Sequence, residues 1–310
     1  MARQLATEET TVLAVAQDLT EGRGMRFTPL SDHIGAEVHG MDLDRPISAE
    51  VAAELHQALG THKLLLFRQG SISDDTHVRL LESMGRIMRE DDAGSLFTHV
   101  GTTPDAYVKG TDRLRFHSDW QCAESGALQV ISLYAEEMEH DDPTIFADMT
   151  YAARSLPSDL RDRVASFDLV QCTDFSGATP KDGHFRLSAQ AAGVSDAYFP
   201  RSVHPLLGRH RVTGEELLNV SEQQTSHIVG MSEDESDVVF AELAKHQYGD
   251  DNRYVHHWQV GDLVIWDNIA LQHARDASTG PSGRRLRRVV LNELDFGDLF
   301  AELPEAVAMS

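Results

Sequence analysis

The sequence contains very little cysteine. Only Cys122 and Cys172 occur among its 310 residues. Two cysteines are too few for a disulfide framework, and they are also too few for a zinc site built on thiolates. We therefore interpret both residues as free thiols, which is the expected state in a reducing compartment.

Long hydrophobic runs are also absent from the sequence. No apolar stretch approaches the roughly 20 residues that are needed to span a bilayer. The N-terminal sequence MARQLATEETTVLAVAQDL lacks the basic start and apolar block of a secretory signal. We therefore expect a cytoplasmic protein that has no membrane partner.

Positive charge is scarce in this chain. Its 27 Lys and Arg residues stand against 50 Asp and Glu residues, which gives a formal net charge of -23. A strongly acidic surface repels nucleic acid, so we expect no nucleic-acid partner. A small anionic ligand is not excluded, because arginines cluster locally in the sequence RRLRR at 284–288. A small-molecule substrate is the partner that we expect.

Glycines, helix caps and the lack of long linkers indicate the domain organisation of the chain. Residues 1–24 are polar and end with Gly22 and Gly24, which predicts an N-terminal arm that is either mobile or an oligomer contact. Residues 25–310 contain no long linker and no internal repeat, which predicts a single domain. Helices are predicted at Ser48–Leu59, with Gly60 as the stop, and at Ser73–Gly85. A capping box, Ser232-x-x-Glu235, opens a further helix.

Strand signals dominate the C-terminal third of the chain. Short apolar runs and alternating runs predict strands at Lys63–Phe67, Leu128–Tyr134, Thr144–Phe146, Tyr254–Trp258, Leu263–Trp266 and Leu286–Leu291. We therefore predict a mixed α/β, β-rich fold, in which a β-sandwich or barrel core carries helices mostly on its outside.

The sharpest local motif is Phe116-His117-Ser118-Asp119-Trp120. Residues two apart in an extended segment point to the same side, so His117 and Asp119 can face one metal ion together. Two histidines and one carboxylate on one face are typical of non-haem Fe(II) oxygenases. A single His-x-Asp pair is a weak signal, because a surface loop with two polar side chains has the same sequence.

A second histidine and a pair of arginines complete the candidate set. His273 follows a strand that is predicted to end near Trp266, and strand ends present ligands at the mouth of a sandwich. Arg284 and Arg288 share one face of a predicted strand, and arginine forms a bidentate fork with a carboxylate. Taken alone, His273 also reads as an ordinary partly buried histidine, and the arginines as a solvated edge.

The order and separation of these motifs resemble the taurine dioxygenase/2,4-dichlorophenoxyacetate dioxygenase (TauD/TfdA) family, from about Ile34 to Leu291. The similar segments are IGAEVHGMDLDRPIS near the start, FHSD at 116–119, PTIFADM at 143–149, HPLLGRHRVTGEELLNVSEQQTSHIVGMSEDES at 204–236 and WDNIALQH at 266–273. The resemblance implies a double-stranded β-helix, or jelly roll, with surrounding helices. It also implies an Fe(II)- and 2-oxoglutarate-dependent dioxygenase that uses O2 and releases succinate and CO2 as it hydroxylates or otherwise oxidises a C–H bond of a small organic substrate.

The resemblance also implies roles for individual residues. His117, Asp119 and His273 would bind Fe(II). Arg284 would pair with the distal carboxylate of 2-oxoglutarate, and Thr144 would donate its hydroxyl to the same group. Arg288 matches a second arginine of the family, which holds either an anionic group of the substrate or the other end of the cosubstrate.

This chain departs from the family pattern at three places. Asp141-Asp142-Pro143 replaces a Gly-Gly-Asp turn before Thr144. Arg113 stands where sulfonate-binding members carry asparagine, and Gln224 lies near the position of an aromatic residue. Both latter changes argue against taurine as the substrate. Our candidate substrate contacts are His99, Arg113, Trp120, Gln129, Phe175, Gln224 and Arg288.

Other interpretations of the same residues are a non-catalytic jelly-roll protein that binds a ligand and a zinc hydrolase on the same triad. Neither has a use for the complete set of iron and 2-oxoglutarate groups. The neighbouring His256 and His257 would point to opposite faces of a strand, so at most one faces the core. The resemblance favours a homo-oligomer, either a dimer or a tetramer.

Overall fold

The computed structural model describes residues 24–90, 94–103, 108–109, 112–179, 183–277 and 283–300. Apart from Gly24, the predicted N-terminal arm lies outside these residues. The helices are α1 Ala49–His62, α2 Asp74–Met84, α3 Met149–Ser155, α4 Ser158–Val164 and α5 Glu233–Gln247. The first part of the chain contains the strands β1 Arg26–Pro29, β2 Ala36–His39, β3 Leu64–Arg68, β4 Thr98–Gly101, β5 Val108–Lys109, β6 Leu114–His117, β7 Val130–Glu137, β8 Thr144–Asp148 and β9 Asp168–Cys172. The remaining strands are β10 Arg201–Pro205, β11 Leu207–Arg209, β12 Glu216–Leu218, β13 Thr225–Ile228, β14 Arg253–His256, β15 Asp262–Asp267, β16 Leu271–Arg275 and β17 Arg285–Leu291.

Two sheets form the centre of the molecule. The larger has eight strands in the order β1-β2-β3-β15-β7-β17-β4-β5, and the smaller has four in the order β14-β8-β16-β6. Apolar side chains of both sheets share one buried core. Two further sheets, β10-β9-β13 and β11-β12, lie beside the smaller sheet with α3, α4 and α5. The β-rich, mixed α/β prediction is confirmed.

The apolar run at β3 illustrates how the layers form. Leu64 and Leu66 pack with Phe146 of β8 in the core between the sheets. The intervening Leu65 packs with Leu81 of α2 in a second core, between the larger sheet and its helices. Because side chains alternate across a strand, a strand that is covered on both faces needs an unbroken apolar sequence. The KLLLF run is therefore a signature of a central layer.

The helix predictions are correct in kind, and one boundary is wrong. The Ser232 hydroxyl accepts from the Glu235 amide, and the Glu235 carboxylate accepts from the Ser232 amide, so the capping box is present. The first helix, however, continues past Gly60 to His62 and ends at Lys63 in the left-handed conformation (φ 62°). The buried Lys63 ammonium, 2.5 Å from Asp148 Oδ2, fixes this turn through a tertiary contact that local sequence does not reveal.

No helix in the described part of the chain is long and apolar enough to cross a bilayer. The two cysteines are buried and are not joined in a disulfide. Burial raises the pKa of the Cys172 thiol to about 12, so it remains protonated.

Candidate active site

Neighbouring strands of the smaller sheet bring the two candidate histidines together. His117 at the end of β6 lies directly opposite His273 of β16 in the antiparallel register, and their ring centroids are 4.3 Å apart. Asp119 follows two residues after His117. Its Oδ1 lies 3.3 Å from His117 Nε2 and 3.6 Å from His273 Nε2. The three candidate ligand atoms lie within 4.8 Å of one another, which is a spacing that suits one bound cation.

Hydrogen bonding and burial give these groups the protonation states of metal ligands. His117 Nδ1 donates to the Arg115 carbonyl at 2.7 Å, which leaves the lone pair on Nε2 directed toward the other two ligands. Burial lowers the pKa of His273 to about 3, with a smaller contribution from His117, so this imidazole is neutral. Burial opposes ionisation of Asp119, but its contacts with His117 and His273 outweigh that effect and lower the pKa of the carboxyl. Two histidines and one carboxylate on one face fit Fe(II).

The loop that carries Asp119 is held by buried amides. The Asp119 amide donates to Asn268 Oδ1 at 3.0 Å, and Asn268 Nδ2 donates to the Leu128 carbonyl at 3.1 Å. Gln224 Nε2 donates to the Ser118 carbonyl at 3.3 Å. Asn268 lies in the segment WDNIALQH at 266–273 that resembles the family, and these contacts give it a role in holding the loop of Asp119.

The neighbouring Asp267 is fixed by a histidine that sequence reasoning missed. His210 Nε2 donates to both Asp267 oxygens, at 2.8 and 3.0 Å, while its Nδ1 accepts from the amides of Val212 and Thr213. Asp267 Oδ1 in turn accepts from the Ala270 amide at 3.1 Å. His210 therefore anchors the turn between β15 and β16, which leads into His273. No local pattern marks it, because its partner lies 57 residues away.

The candidate ligands open into one cavity of about 310 Å³. Thr144, Arg284 and Arg288 line the same cavity, so the structure brings together all the residues predicted for metal and cosubstrate. Arg288 lies on β17, Arg284 directly precedes this strand, and both face the cavity. The intervening arginines, Arg285 and Arg287, contact Glu136 on the other face. The predicted alternation of this segment is confirmed.

One end of the cavity suits a carboxylate. Burial lowers the pKa of Arg284 to about 10, still well above neutrality. Its Nη1 lies 3.5 Å from Asp142 Oδ2, at the limit of a hydrogen bond, and its Nε has no partner among the described residues. Thr144 Oγ1 accepts from Trp258 Nε1 at 3.0 Å, which leaves the threonine hydrogen to be donated elsewhere. Buried donors that lack acceptors fit the distal carboxylate of 2-oxoglutarate.

A third arginine at this end was not predicted. Arg275 lies two residues after His273 on β16, lines the same cavity, and shares Asp142 with Arg284, its Nη1 being 3.6 Å from Asp142 Oδ2. The signal was present in the sequence LQHAR, because residues two apart on a strand face the same side. Asp142 belongs to the turn that departs from the family pattern, and its buried carboxylate lies between the two arginines.

Arg288 is engaged by two carboxylates. Its Nη2 donates to Asp119 Oδ2 at 2.8 Å, and its Nη1 forms an ion pair with Glu90. Burial lowers the pKa of Arg288 to about 9, so it remains protonated at neutral pH. Glu90 also lines the cavity and was not predicted, because the acidic sequence MREDDAG is typical of a solvated loop.

Four of the seven predicted substrate contacts line the cavity, namely Trp120, Phe175, Gln224 and Arg288. The Trp120 and Phe175 rings stack with centroids 5.6 Å apart, and Phe300 meets both edge-on. Trp120 has a positive φ of 57°, which costs about 1–2 kcal/mol for a non-glycine residue. Both polar atoms of the Gln224 side chain are hydrogen-bonded within the protein: Oε1 accepts from the Cys122 amide, and Nε2 donates to the Ser118 carbonyl.

The other three predicted contacts are not among the residues that line the cavity. His99 Nε2 lies 3.2 Å from Glu136 on the outer side of β17. Arg113 is exposed and lies 3.7 Å from Glu222. Gln129 is half-buried, and its carbonyl accepts from the Asn268 amide.

Known proteins resemble this chain in sequence and in fold. The sequence model of the family described as "Taurine catabolism dioxygenase TauD, TfdA family" matches residues 26–290. Pentalenolactone F synthase of Streptomyces arenae is 30% identical over 87% of this chain and 96% of its own length. The alpha-ketoglutarate-dependent sulfate ester dioxygenase of Pseudomonas putida is 26% identical over 85% of this chain and 88% of its own length. The crystal structure of a taurine dioxygenase from Burkholderia xenovorans superposes with a TM-score of 0.70, at 23% identity, over 87% of this chain and 89% of that one.

Proposed function

The chain belongs to the TauD/TfdA family and is an Fe(II)- and 2-oxoglutarate-dependent dioxygenase, and we propose that His117, Asp119 and His273 hold its iron. The enzyme couples the decarboxylation of 2-oxoglutarate, to succinate and CO2, with the oxidation of a small organic substrate. One observation carries the assignment of ligands: the three candidate atoms lie within 4.8 Å of one another in the cavity that also contains Arg284.

The two central sheets support a double-stranded β-helix as the finer description of the fold. The eight-stranded and four-stranded sheets share one apolar core, and the candidate ligands lie on β6, β16 and the loop after β6. Such a sandwich gives a ligand site a rigid frame, because each histidine is fixed by the hydrogen bonds of its strand.

Arg284 and Thr144 are the proposed partners of the distal carboxylate of 2-oxoglutarate. Both are buried and line the cavity, and each has a donor for which the described residues provide no acceptor. The shared acid Asp142 holds Arg275 and Arg284 at the same end. This arrangement fixes the cosubstrate at its far end, which leaves its keto-acid end to reach the proposed metal ligands.

When bound, iron supplies the chemistry that activates O2 and oxidises a C–H bond. The protein orients the metal ligands and the substrate, and it excludes water. Arg288 and the Asn268 amide fix the oxygens and the backbone of Asp119, so this ligand is oriented before any metal binds. Trp120 and Phe175 form an apolar wall beside the ligands, which excludes water and holds a substrate carbon in place.

The volume and walls of the cavity indicate the class of substrate. Pockets for drug-sized ligands span about 300–1,000 Å³, and the cavity of about 310 Å³ has to hold 2-oxoglutarate as well. The substrate is therefore small, and the aromatic wall favours a mostly apolar molecule. We retain the proposal that the substrate is not taurine, because Arg113 replaces the asparagine of sulfonate-binding members and this position contributes no side chain to the cavity wall.

An anaerobic optical titration tests the proposal. Adding Fe(II) and then 2-oxoglutarate to metal-free protein should produce a weak visible charge-transfer band that needs both additions. His117→Ala should abolish the band, whereas the exposed histidine variant His257→Ala, the matched control, should retain it. A normal band in His117→Ala would overturn the ligand assignment. A wild-type protein that forms no band but still binds a small ligand would favour the non-catalytic alternative.

A further inference from the structure

An acidic residue in the wall of the cavity, Glu90, forms an ion pair with Arg288. The side chains of Glu90 and Arg288 are 9% and 7% exposed, and they form a direct ion pair. The other Glu90 oxygen accepts from Thr98 Oγ1 at 3.0 Å. The other terminal nitrogen of Arg288 donates to Asp119 at 2.8 Å. The charge of Arg288 is therefore already compensated before any substrate enters.

We infer that Glu90 is a specificity-determining residue that closes this cavity to anionic substrates and selects an uncharged one. The inference deepens the proposed function and rests on it, because it concerns what the iron and 2-oxoglutarate site accepts. A substrate carboxylate or sulfonate that approached Arg288 would meet the Glu90 carboxylate at close range. Like charges in a site of low dielectric repel strongly, which is a common means of rejecting the wrong partner.

The other charged groups of the described wall do not restore an anion site. Arg275 and Arg284 lie at the opposite end, with Asp142 and the proposed cosubstrate position. Asp174, beside the aromatic wall, is an acid whose carboxylate accepts from Ser176 and Thr179. Near Trp120 and Phe175, the described lining residues are thus apolar, neutral or acidic, and Arg288 is the cation that Glu90 has paired.

Glu90 is also placed to act through charge alone. Its partner Arg288 lies on β17, whereas Glu90 lies beyond the end of α2, so the pair joins two segments that are far apart in sequence. Replacing the acid with an amide of nearly equal size keeps the wall intact and leaves the positive charge of Arg288 exposed to the cavity. The change converts a compensated site into one that should bind an anion.

The test measures anion binding to the protein loaded anaerobically with Fe(II) and 2-oxoglutarate. Acetate, methanesulfonate and benzoate are the anionic probes, and acetamide and benzamide are their neutral counterparts. Binding is followed as a shift of the charge-transfer band without its loss, and in parallel as a change in tryptophan fluorescence. Wild-type protein should bind no anion more tightly than its neutral counterpart. Glu90→Gln should bind at least one anion tenfold or more tightly than wild type does.

Three further variants identify the cause of any gain. Glu90→Asp retains the charge and should behave as wild type. The double variant Glu90→Gln with Arg288→Met should lose the gain. Glu136→Gln removes an acid that pairs with the other arginines of β17, outside the cavity, and should show no gain. Glu90→Ala repeats the measurement if the Gln variant does not fold.

The outcomes separate this inference from the proposed function. Anion binding by wild-type protein that requires Arg288 would overturn the inference, as would the absence of a tenfold gain in both Glu90→Gln and Glu90→Ala while the band is intact. If wild-type protein forms no charge-transfer band at all, the proposed function fails first.

Discussion

Arg284→Met is the substitution with the most direct consequence for cosubstrate binding. The side chain is buried, its contacts with Asp142 are 3.5 Å long, and its Nε has no partner among the described residues. A buried carboxylate that loses a charge-assisted partner of this kind loses about 2–4 kcal/mol. This corresponds to a roughly 30- to 1,000-fold increase in the Kd for 2-oxoglutarate. Methionine retains much of the side-chain volume, so the effect of charge is separated from the effect of a cavity.

The measurement is an anaerobic titration of the Fe(II) protein with 2-oxoglutarate, followed by its visible band. Arg285→Met is the matched control, because Arg285 is the next residue but pairs with Glu136 on the other face of the strand. The control should bind 2-oxoglutarate within about threefold of wild type. A Kd for Arg284→Met that also stays within threefold would refute the assignment of Arg284 to the cosubstrate.

Three other substitutions test the frame of the site. Gly101→Ala places a Cβ 2.0 Å from the carbonyl oxygen of Arg284, at a φ of +152°. It should therefore lower the free energy of unfolding by about 2 kcal/mol or more, as measured by urea unfolding. It should also weaken 2-oxoglutarate binding in the optical titration, because Arg284 is displaced. His210→Ala removes the anchor of the turn before the second histidine ligand and should weaken Fe(II) binding about tenfold, whereas unchanged metal affinity would contradict this positioning role. Burial and Arg287 lower the pKa of His77 well below 6.5, so the unfolded chain takes up a proton that the folded chain does not, and stability should fall as the pH falls below about 6.5. His77→Asn should reduce that slope by up to about 1.4 kcal/mol per pH unit in urea unfolding, and an unchanged slope would show that other groups cause it.

The parts of the site that could be predicted from sequence are those fixed by strand alternation. His117 and Asp119 are two residues apart, as are positions 284, 286 and 288 of RRLRR, of which Arg284 and Arg288 line the cavity and Leu286 packs in the core between the sheets. Because the side-chain period of a strand is two, each of these patterns specifies which groups share a face. The same rule, applied to LQHAR, would have added Arg275. The expectation that His117 and His273 share one site came from the resemblance to the family, since no local pattern shows that β6 and β16 are neighbours.

The parts that sequence did not reveal depend on contacts between distant segments. His99 was predicted to contact the substrate because its segment borders the active site in members of the family, but it faces Glu136 outside the cavity. Lys63 ends the first helix because of Asp148, which lies 85 residues away. His210 anchors the turn between β15 and β16 through Asp267, which lies 57 residues away. Each contact requires the tertiary fold, and the residues involved look like ordinary polar surface positions when the chain is read locally.

Some residues of the site are fixed by strand alternation, and others by contacts between distant segments. This difference explains why the sequence indicates the reaction better than it indicates the substrate. The arginines of the cavity lie on β16, β17 and its approach, where alternation fixes their direction. The acids that pair with them, Asp142 and Glu90, lie in irregular segments before β8 and after α2. An arginine on a strand provides a cation at a fixed point, but the acid opposite determines whether that cation is available to a ligand. Asp142 leaves long contacts and an unpartnered Nε on Arg284, whereas Glu90 and Asp119 engage both terminal nitrogens of Arg288. Substrate selection in this chain therefore depends on loop acids whose partners only the folded structure reveals.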